Sequence, residues 1–230
     1  MRILVVGASG RMGQEIHKVS RQHYKDYSLM GVARSGSAEH YVRVEKSILT
    51  YDPAEFDVIV DFSLQEAFAD TVKLATIKKR PLVSGVTGLA PQELDLLKQA
   101  SKEIPVLWSS NMSLGIAVLK KALSAFAPIS DFDFQIEEFH HNKKRDNPSG
   151  TALTLQEELN HVTKKTNPTP IGIRGGGIFG IHKVWAMSEE ETLCFEHQAL
   201  SRSVFAKGAL TCAKWLKDKE LGLYSINDVL

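Results

Sequence analysis

Ile3-Leu4-Val5-Val6-Gly7-Ala8-Ser9-Gly10-Arg11-Met12-Gly13 is the stretch that decides the fold of this chain. Ile3 to Val6 is a continuous apolar run, as expected of a parallel strand buried on both faces. A glycine-rich turn follows at once, and Met12, Ile16 and Val19 then recur at helical spacing. Strand, glycine turn and helix in that order form the setting of a dinucleotide-binding fingerprint. Glycines let the backbone approach a pyrophosphate, and the helix amino terminus stabilises its charge. The spacing is Gly-x-x-Gly-x-x-Gly, not the commoner Gly-x-Gly-x-x-Gly, and glycine turns after strands are frequent. The residues that follow must therefore carry the rest of the argument.

A second strand is expected over Leu29 to Ala33, ending in Arg34-Ser35. A site that prefers NAD places Asp or Glu about twenty residues past the glycines, on the ribose hydroxyls. This chain offers Arg34, with Ser35 and Ser37 nearby. Arg34 suits a 2′-phosphate, which favours NADPH over NADH; the plain alternative is a surface arginine at a strand end. Strands are then expected over 57–62, 81–84 and 106–108, with helices over 65–78 and 91–102. This alternation argues for a Rossmann-like, doubly wound parallel sheet. Ligands of such sheets bind beyond the carboxyl ends of the strands. Three loops with small polar residues leave those ends: Asp61-Phe62-Ser63, Gly85-Val86-Thr87-Gly88 and Ser109-Ser110-Asn111-Met112. Together they read as a cofactor rim.

After Asn111 the pattern changes. A helix is expected over 115–126, then a strand in which Phe132, Phe134 and Ile136 alternate with polar residues. That strand runs into Glu-Phe-His-His-Asn-Lys-Lys-Arg-Asp-Asn-Pro-Ser-Gly-Thr-Ala. Five potentially cationic groups (His140, His141, Lys143, Lys144, Arg145) fall within six residues. Such runs are usually solvated loops. Here, however, a strand leads in, and Ser149 or Thr151 caps a helix whose Ala152, Leu155, Leu159 and Val162 recur at helical spacing. Crowded cations depress one another's charged forms, and an arriving dianion reverses that effect. The amides of Gly150 and Thr151 add an anion site at the helix start. The arrangement suits a site that grips a dicarboxylate and then donates a proton, from either His140 or Lys144. Strand-like runs over 171–173, 178–185 and 192–198, with a tight link at 188–191, suggest an antiparallel hairpin. Arg174, before three glycines, is either a carboxylate fork or an exposed turn residue. A last helix is expected over 203–217.

The whole is an α/β chain. A Rossmann-like domain (1–111 and 206–230) is joined to an α+β substrate-binding and oligomerisation domain (112–205) with a mostly antiparallel sheet. Hinge closure is expected near 110 and 206. With 230 residues, 43% of them hydrophobic, either domain can bury a core. A net charge of +1 provides no global field for nucleic acid or an anionic membrane. Two cysteines, Cys194 and Cys212, lack metal spacing and suit a cytoplasmic protein, with no metal expected. The opening apolar run is too short for a signal peptide and breaks at Gly7.

The cationic loop and its helix start resemble the signature of the 4-hydroxy-tetrahydrodipicolinate reductase (dihydrodipicolinate reductase) family. The resemblance extends through the Gly7–Gly13 turn, Val86-Thr87-Gly88, Asn111-Met112-Ser113, Ile173-Arg174-Gly175-Gly176 and Phe205-Ala206-Lys207-Gly208-Ala209. It implies reduction of a cyclic 4-hydroxy dicarboxylate by NADPH or NADH, with loss of water, on the diaminopimelate route to lysine. It implies His140 and Lys144 as proton donors, His141 as a substrate contact, and Gly150 with Thr151 as carboxylate-binding amides. Gly7, Ala8, Ser9, Gly10, Arg11, Met12, Gly85, Val86, Thr87, Ser109, Ser110, Asn111 and Met112 match its cofactor segments. It further implies a homotetramer built through the second domain's sheet. Three positions depart from the family pattern: Val86 replaces a Thr, Ile181 replaces a Glu before His182, and Arg34 stands where an acid is common. Two other readings compete. One is another NAD(P)-dependent imine or amino-acid dehydrogenase; the other is a protein that binds the dinucleotide without chemistry.

Overall fold

The computed structural model describes residues 1–34 and 36–230; Ser35, placed beside Arg34 in the sequence reading, lies outside the described residues. The chain separates into two compact units, Met1–Met112 with Phe205–Val229, and Ser113–Val204.

The first unit opens with β1 (Arg2–Val6), α1 (Arg11–His23), β2 (Ser28–Val32) and the two-residue β3 (Val44–Glu45). It continues through β4 (Val58–Asp61), α2 (Gln65–Ile77), β5 (Leu82–Ser84), α3 (Pro91–Ala100) and β6 (Pro105–Trp108). In the second unit, α4 (Leu114–Ala122) precedes β7 (Asp133–His140), α5 (Gly150–Thr163), β8 (Ile171–Arg174), β9 (Gly180–Met187) and β10 (Thr192–Ala199). The chain then rejoins the first unit with α6 (Ser203–Leu216) and β11 (Gly222–Tyr224).

The first sheet is parallel throughout, in the order β11-β6-β5-β4-β1-β2-β3. Leu4, Ile59, Leu82 and Val106 share one face and pack with Phe68 of α2 and Leu97 of α3, while Ile3, Val5, Val58 and Val60 on the other face are fully buried as well. That double burial explains why β1 and β4 read as unbroken apolar runs. Strand order reverses between β1 and β4, where Val6 is registered with Asp61. This switch point sets the Gly7 turn beside the Phe62 loop, where ligands of open α/β sheets bind.

The second sheet runs β10-β9-β7-β8. Three of its strands are antiparallel neighbours and β8 joins β7 in parallel, which gives the expected mostly antiparallel sheet. The hairpin at 188–191 closes with Ser188 N–H donating to the Glu191 carbonyl at 2.9 Å. On one face Phe134, Ile136, Val184 and Ala186 pack with Leu155 and Leu159 of α5. Both leucines are fully buried, each contributing about 1.5–3 kcal/mol relative to exposure.

Two elements depart from the sequence reading. The helix expected over 115–126 stops at Ala122 and tightens into a 3₁₀ stretch, Leu123–Ile129, containing Pro128, which has no N–H to continue the α pattern. Strands β3 and β11 did not register in the sequence, because two or three residues are too few to display a period.

Candidate active site

In the first unit, Gly7 sits at φ +83, and a Cβ there would lie 2.6 Å from the Phe62 carbonyl oxygen. Only glycine lets the strand end, the Phe62 loop and any ligand approach so closely. Gly10 caps α1 without a side chain, and the amides of the first helical turn have no intrahelical acceptor. The amides of Gly7 and Ala8, by contrast, both donate to the Val32 carbonyl. Among the matched residues, Arg11 and Met12 therefore bring helix-start amides, while Ala8 brings a buried methyl against Gly31.

A cleft of about 400 Å³ opens over this turn, lined by Gly7, Ser9, Gly10, Arg34, Lys46 and Phe62 among others. Lys46 was not singled out in the sequence; β3 brings it to the same cleft as Arg34. A second cleft of about 290 Å³ gathers Phe62, Ser63, Gly85, Val86 and Thr87. Gly85 is needed there, since a Cβ would overlap the Phe62 ring. Ser109, Ser110, Asn111 and Met112 line neither cleft. Ser109 N–H donates to the Ser84 carbonyl at 3.2 Å, its hydroxyl donates to the Asn111 carbonyl at 2.7 Å, and Met112 is buried. The glycine turn, the uncapped helix start and the cationic end of the large cleft fit a phosphorylated dinucleotide.

Asp61 underlies this rim. It is fully buried, accepts from Ser63 N–H at 2.9 Å and lies 3.4 Å from the Ser84 hydroxyl. Burial pushes its carboxyl up to about 6, against the pull of those serine hydrogen bonds. A carboxyl raised on folding stabilises the fold while protonated, and that stability is lost as pH climbs from about 4 through 6. Asp61→Asn is nearly isosteric and does not titrate. It is expected to gain on the wild type by roughly 2–3 kcal/mol across that interval and to hold the gain above pH 7. Thermal melts from pH 4 to 8 check this; a pH-independent difference in Tm contradicts it.

In the second unit the candidate residues collect at the carboxyl end of β7. Phe134 and Ile136 point into the core, and the same parity continues through Glu138 to His140. The core face turns polar there. Across the ladder, Glu138 is registered with His182 on β9 and with Gly172 on β8, and His140 with Arg174. Glu138 is fully buried and is the hub. It accepts from His140 Nδ1, from Arg174 Nη1 and Nη2 at 2.9 and 2.6 Å, and from Ser149 N–H at 3.0 Å. Burial alone would raise its carboxyl. Hydrogen bonds from Arg174, His140 and the Ser149 amide overcome that and hold it below the ordinary glutamate range.

Arg174 is thus neither a fork for an external carboxylate nor an exposed turn residue. Its fork closes on Glu138, and Nη2 also donates to the Asp146 carbonyl at 2.6 Å, tying down the cationic loop. The Gly175 amide donates to the His140 carbonyl at 2.9 Å, and Asn142 N–H to the Gly176 carbonyl at 3.3 Å. A Cβ on Gly175, Gly176 or Gly177 would meet nothing within 4 Å, and Gly176 lies at φ +51.

His140 is buried and its imidazolium is held below the ordinary histidine range, chiefly by burial. Glu138 pulls the other way, while the charges of Lys144 and Arg174 reinforce burial. The His182 ring stands edge-on at 5.2 Å and is neutral, pushed down to about 3 by burial and by His140. Lys144 Nζ pairs with Asp146 at 2.9 Å, and the Gly150 amide also helps hold the Asp146 carboxyl low. Asp146 therefore engages one expected proton donor, Lys144, and one expected carboxylate-binding amide, that of Gly150. His141 is half-buried, and its Nδ1 is a buried atom with no hydrogen-bond partner among the described residues. Ser149 caps α5 by accepting from Ala152 N–H at 3.2 Å, which leaves Gly150 and Thr151 in the first turn. Gly150 is exposed, and a Cβ there would meet nothing within 4 Å.

His140, Arg174 and the start of α5 thus meet around one buried carboxylate, and Lys144, paired with Asp146, is close enough for its charge to act on His140. The sequence reading missed Glu138. Its signal was an acid at the core-facing parity between Ile136 and His140. Among the described residues no group of three His, Cys, Asp or Glu could hold a metal ion.

The family description "Dihydrodipicolinate reductase, N-terminus" matches residues 1–112, and "Dihydrodipicolinate reductase, C-terminus" matches residues 115–230. The chain is 49% identical to a 4-hydroxy-tetrahydrodipicolinate reductase of Bdellovibrio bacteriovorus, covering 100% of this chain and 96% of that one. It is 39% identical to a reductase of the same name from Wolinella succinogenes, over 100% of this chain and 98% of the relative. Among solved structures, a dipicolinate-bound dihydrodipicolinate reductase from Paenisporosarcina sp. TG-14 superposes with a TM-score of 0.83 at 19% identity. That superposition covers 100% of this chain and 99% of the other, and it concerns the fold.

Proposed function

This chain belongs to the dihydrodipicolinate reductase family, and from that membership we propose how its own residues carry out the family reaction. The reaction reduces 4-hydroxy-tetrahydrodipicolinate to tetrahydrodipicolinate with loss of water, in the diaminopimelate route to lysine. The hydride is the contribution of the bound nicotinamide dinucleotide. The protein's task is to hold a cyclic dianion and give it one proton.

His140 and Lys144 are the donor pair, and the proton they supply belongs to the pair as a coupled system. His141 is the substrate contact, and its Nδ1 has no hydrogen-bond partner among the described residues. The amides of Gly150 and Thr151, at the positive end of α5, bind one substrate carboxylate. The observation that carries this reading is the meeting of His140 and the α5 start on Glu138, with the Lys144 charge close enough to act on His140. Incubating the protein with NADPH and enzymatically generated substrate tests it. Fast turnover is expected, and turnover no better than with other imines or amino acids returns the function to a related dehydrogenase.

The cofactor lies over the Gly7–Met12 turn and reaches the Gly85–Thr87 rim, with Ser109–Met112 supporting that rim from behind. NADPH is favoured, since Arg34 and Lys46 share the cleft. Losing one charge-assisted contact to a 2′-phosphate costs about 1.5–3 kcal/mol. Arg34→Ala is thus expected to raise KM for NADPH about 10- to 100-fold and to leave KM for NADH almost unchanged. Steady-state kinetics with both cofactors decide it, and equal losses contradict the assignment.

The second unit assembles the protein into a homotetramer; Ile171 and Ile173 are exposed on edge strand β8, on the sheet face away from α5, a surface suited to burial against another copy. The partner is a small cyclic dicarboxylate, with no nucleic acid or membrane surface required. Among the described residues no helix is long and apolar enough to cross a bilayer. Two unpaired cysteines, Cys194 and Cys212, fit a reducing cytoplasm.

A further inference from the structure

We propose that Glu138 is a positioning residue for the proton transfer: clamped by Arg174, it orients the His140 ring so that Nδ1 keeps its proton and Nε2 gives one up. The inference rests on the reading of His140 as a donor and adds the group that makes it one.

The geometry leaves Glu138 a single arrangement. Both its oxygens are engaged in the Arg174 fork. One of them also accepts from Ser149 N–H at the helix start, and the other from His140 Nδ1. A planar guanidinium and a carboxylate in this pairing define a plane as well as a distance. The imidazole that reads this plane cannot rotate without breaking its own bond to the carboxylate. Gly180 leaves room for the ring in this orientation, since a Cβ there would stand 3.0 Å from His140 Nε2.

The proton inventory follows from these contacts. A charged His140 carries hydrogen on both nitrogens. When the Nε2–H bond breaks, its electron pair stays on Nε2 and the proton bonds to the substrate. The neutral ring left behind is the Nδ1–H tautomer, whose N–H donates to Glu138. The opposite tautomer would point a bare nitrogen lone pair at a carboxylate, so it is disfavoured. Glu138 therefore stabilises both the charged donor and the neutral form it becomes.

The charged and titratable groups around the ring are Glu138 on its own strand, Arg174 on β8, His182 on β9 and Lys144, paired with Asp146, on the following loop. Of these, Glu138 favours the imidazolium, whereas Arg174 and Lys144 oppose it. Removing the charge of Glu138 must lower the His140 midpoint. The protonated donor is then lost at a lower pH, and the high-pH limb of kcat moves down with it.

The test combines nitrogen-15 spectra of the His140 ring with pH profiles of kcat, in wild type, Glu138→Gln and Glu138→Asp. In the wild type, neutral His140 is expected as the Nδ1–H tautomer, a readout that needs no variant and no turnover. Glu138→Gln is expected to lower the His140 midpoint and the kcat limb together, by about 1 pH unit or more. Its kcat at pH 8 is expected to fall about 10- to 100-fold, with KM and cofactor Kd within about twofold. Glu138→Asp keeps the charge and is expected to return the limb toward the wild-type position. A wild-type Nε2–H tautomer overturns the inference. So does a Glu138→Gln protein in which midpoint and limb stay put. If Glu138→Gln does not fold, the wild-type tautomer and Glu138→Asp still decide. Full turnover in a His140→Gln variant would instead defeat the donor reading beneath it, whatever the tautomer.

Discussion

Replacing His140 with glutamine is expected to lower kcat by about 10²- to 10⁴-fold, the usual contribution of a positioned general acid. Cofactor Kd is expected to stay within about twofold of wild type, because His140 and the glycine turn belong to different compact units. Glutamine keeps the bulk and hydrogen bonding of the ring but not a proton that leaves near neutral pH. Lys144→Met removes the companion cation, and its loss should be of the same order. The two effects are not additive. Groups that supply one proton together fail together, so the double variant should be no slower than the slower single within about tenfold. Single-turnover rates at saturating substrate, with fluorescence titration of NADPH, separate chemistry from binding. A dinucleotide-binding protein without chemistry predicts no effect in any of these assays. A related dehydrogenase using a different acid predicts a change in KM alone.

Gly7→Val is expected to remove dinucleotide binding and most of the stability of the first unit. Gly7 lies at φ +83, where a β-branched residue is strained by about 1–3 kcal/mol. The added Cβ would also sit 2.6 Å from the backbone oxygen of Phe62, and backbone cannot step aside as a flexible side chain does. Overpacking of that kind adds about 1–3 kcal/mol more. The two costs together consume much of the 5–15 kcal/mol that holds an average domain folded. A melting temperature lowered by about 10 °C or more, with no detectable NADPH binding, is the expected result. Gly10→Ala is the comparison, because its added Cβ meets only the Gly7 carbonyl oxygen, at 3.2 Å. It should bind cofactor with modest loss. Equal stability of the Gly7→Val and Gly10→Ala proteins contradicts the close-approach argument.

Much of this architecture was legible because local chemistry repeats. Ile3–Val6, the glycine turn and the spacing of Ile16 and Val19 state strand, turn and helix within twenty residues, and the alternation through Trp108 extends the same pattern. The α5 start was legible for the same reason, since Ser149 caps by accepting from an amide three residues on. What escaped is non-local. Lys46 reaches the Arg34 cleft only because β3 pairs with β2 at Gly31 and Val32. Asp61 reads as a strand end opening into a polar loop, and its burial comes from neighbouring strands on either side. Arg174 had two open readings in sequence, and its real partner stands thirty-six positions earlier, across a parallel pairing. Glu138 lay in plain view of the parity argument. An acid in a core-facing position, next to a histidine of the same parity, can be found by asking where each buried charge must go.

The proposed function requires that capture of a dianion and protonation of His140 be coupled in one place. Calorimetric binding of dipicolinate near pH 7.5, repeated in buffers of different ionisation enthalpy, measures the protons that accompany the ligand. Because burial keeps the His140 imidazolium low in the free protein, binding of the dianion is expected to draw in a large fraction of one proton. His140→Gln should abolish most of that uptake while still binding the ligand. Tight binding by the wild type with no proton taken up would contradict the account.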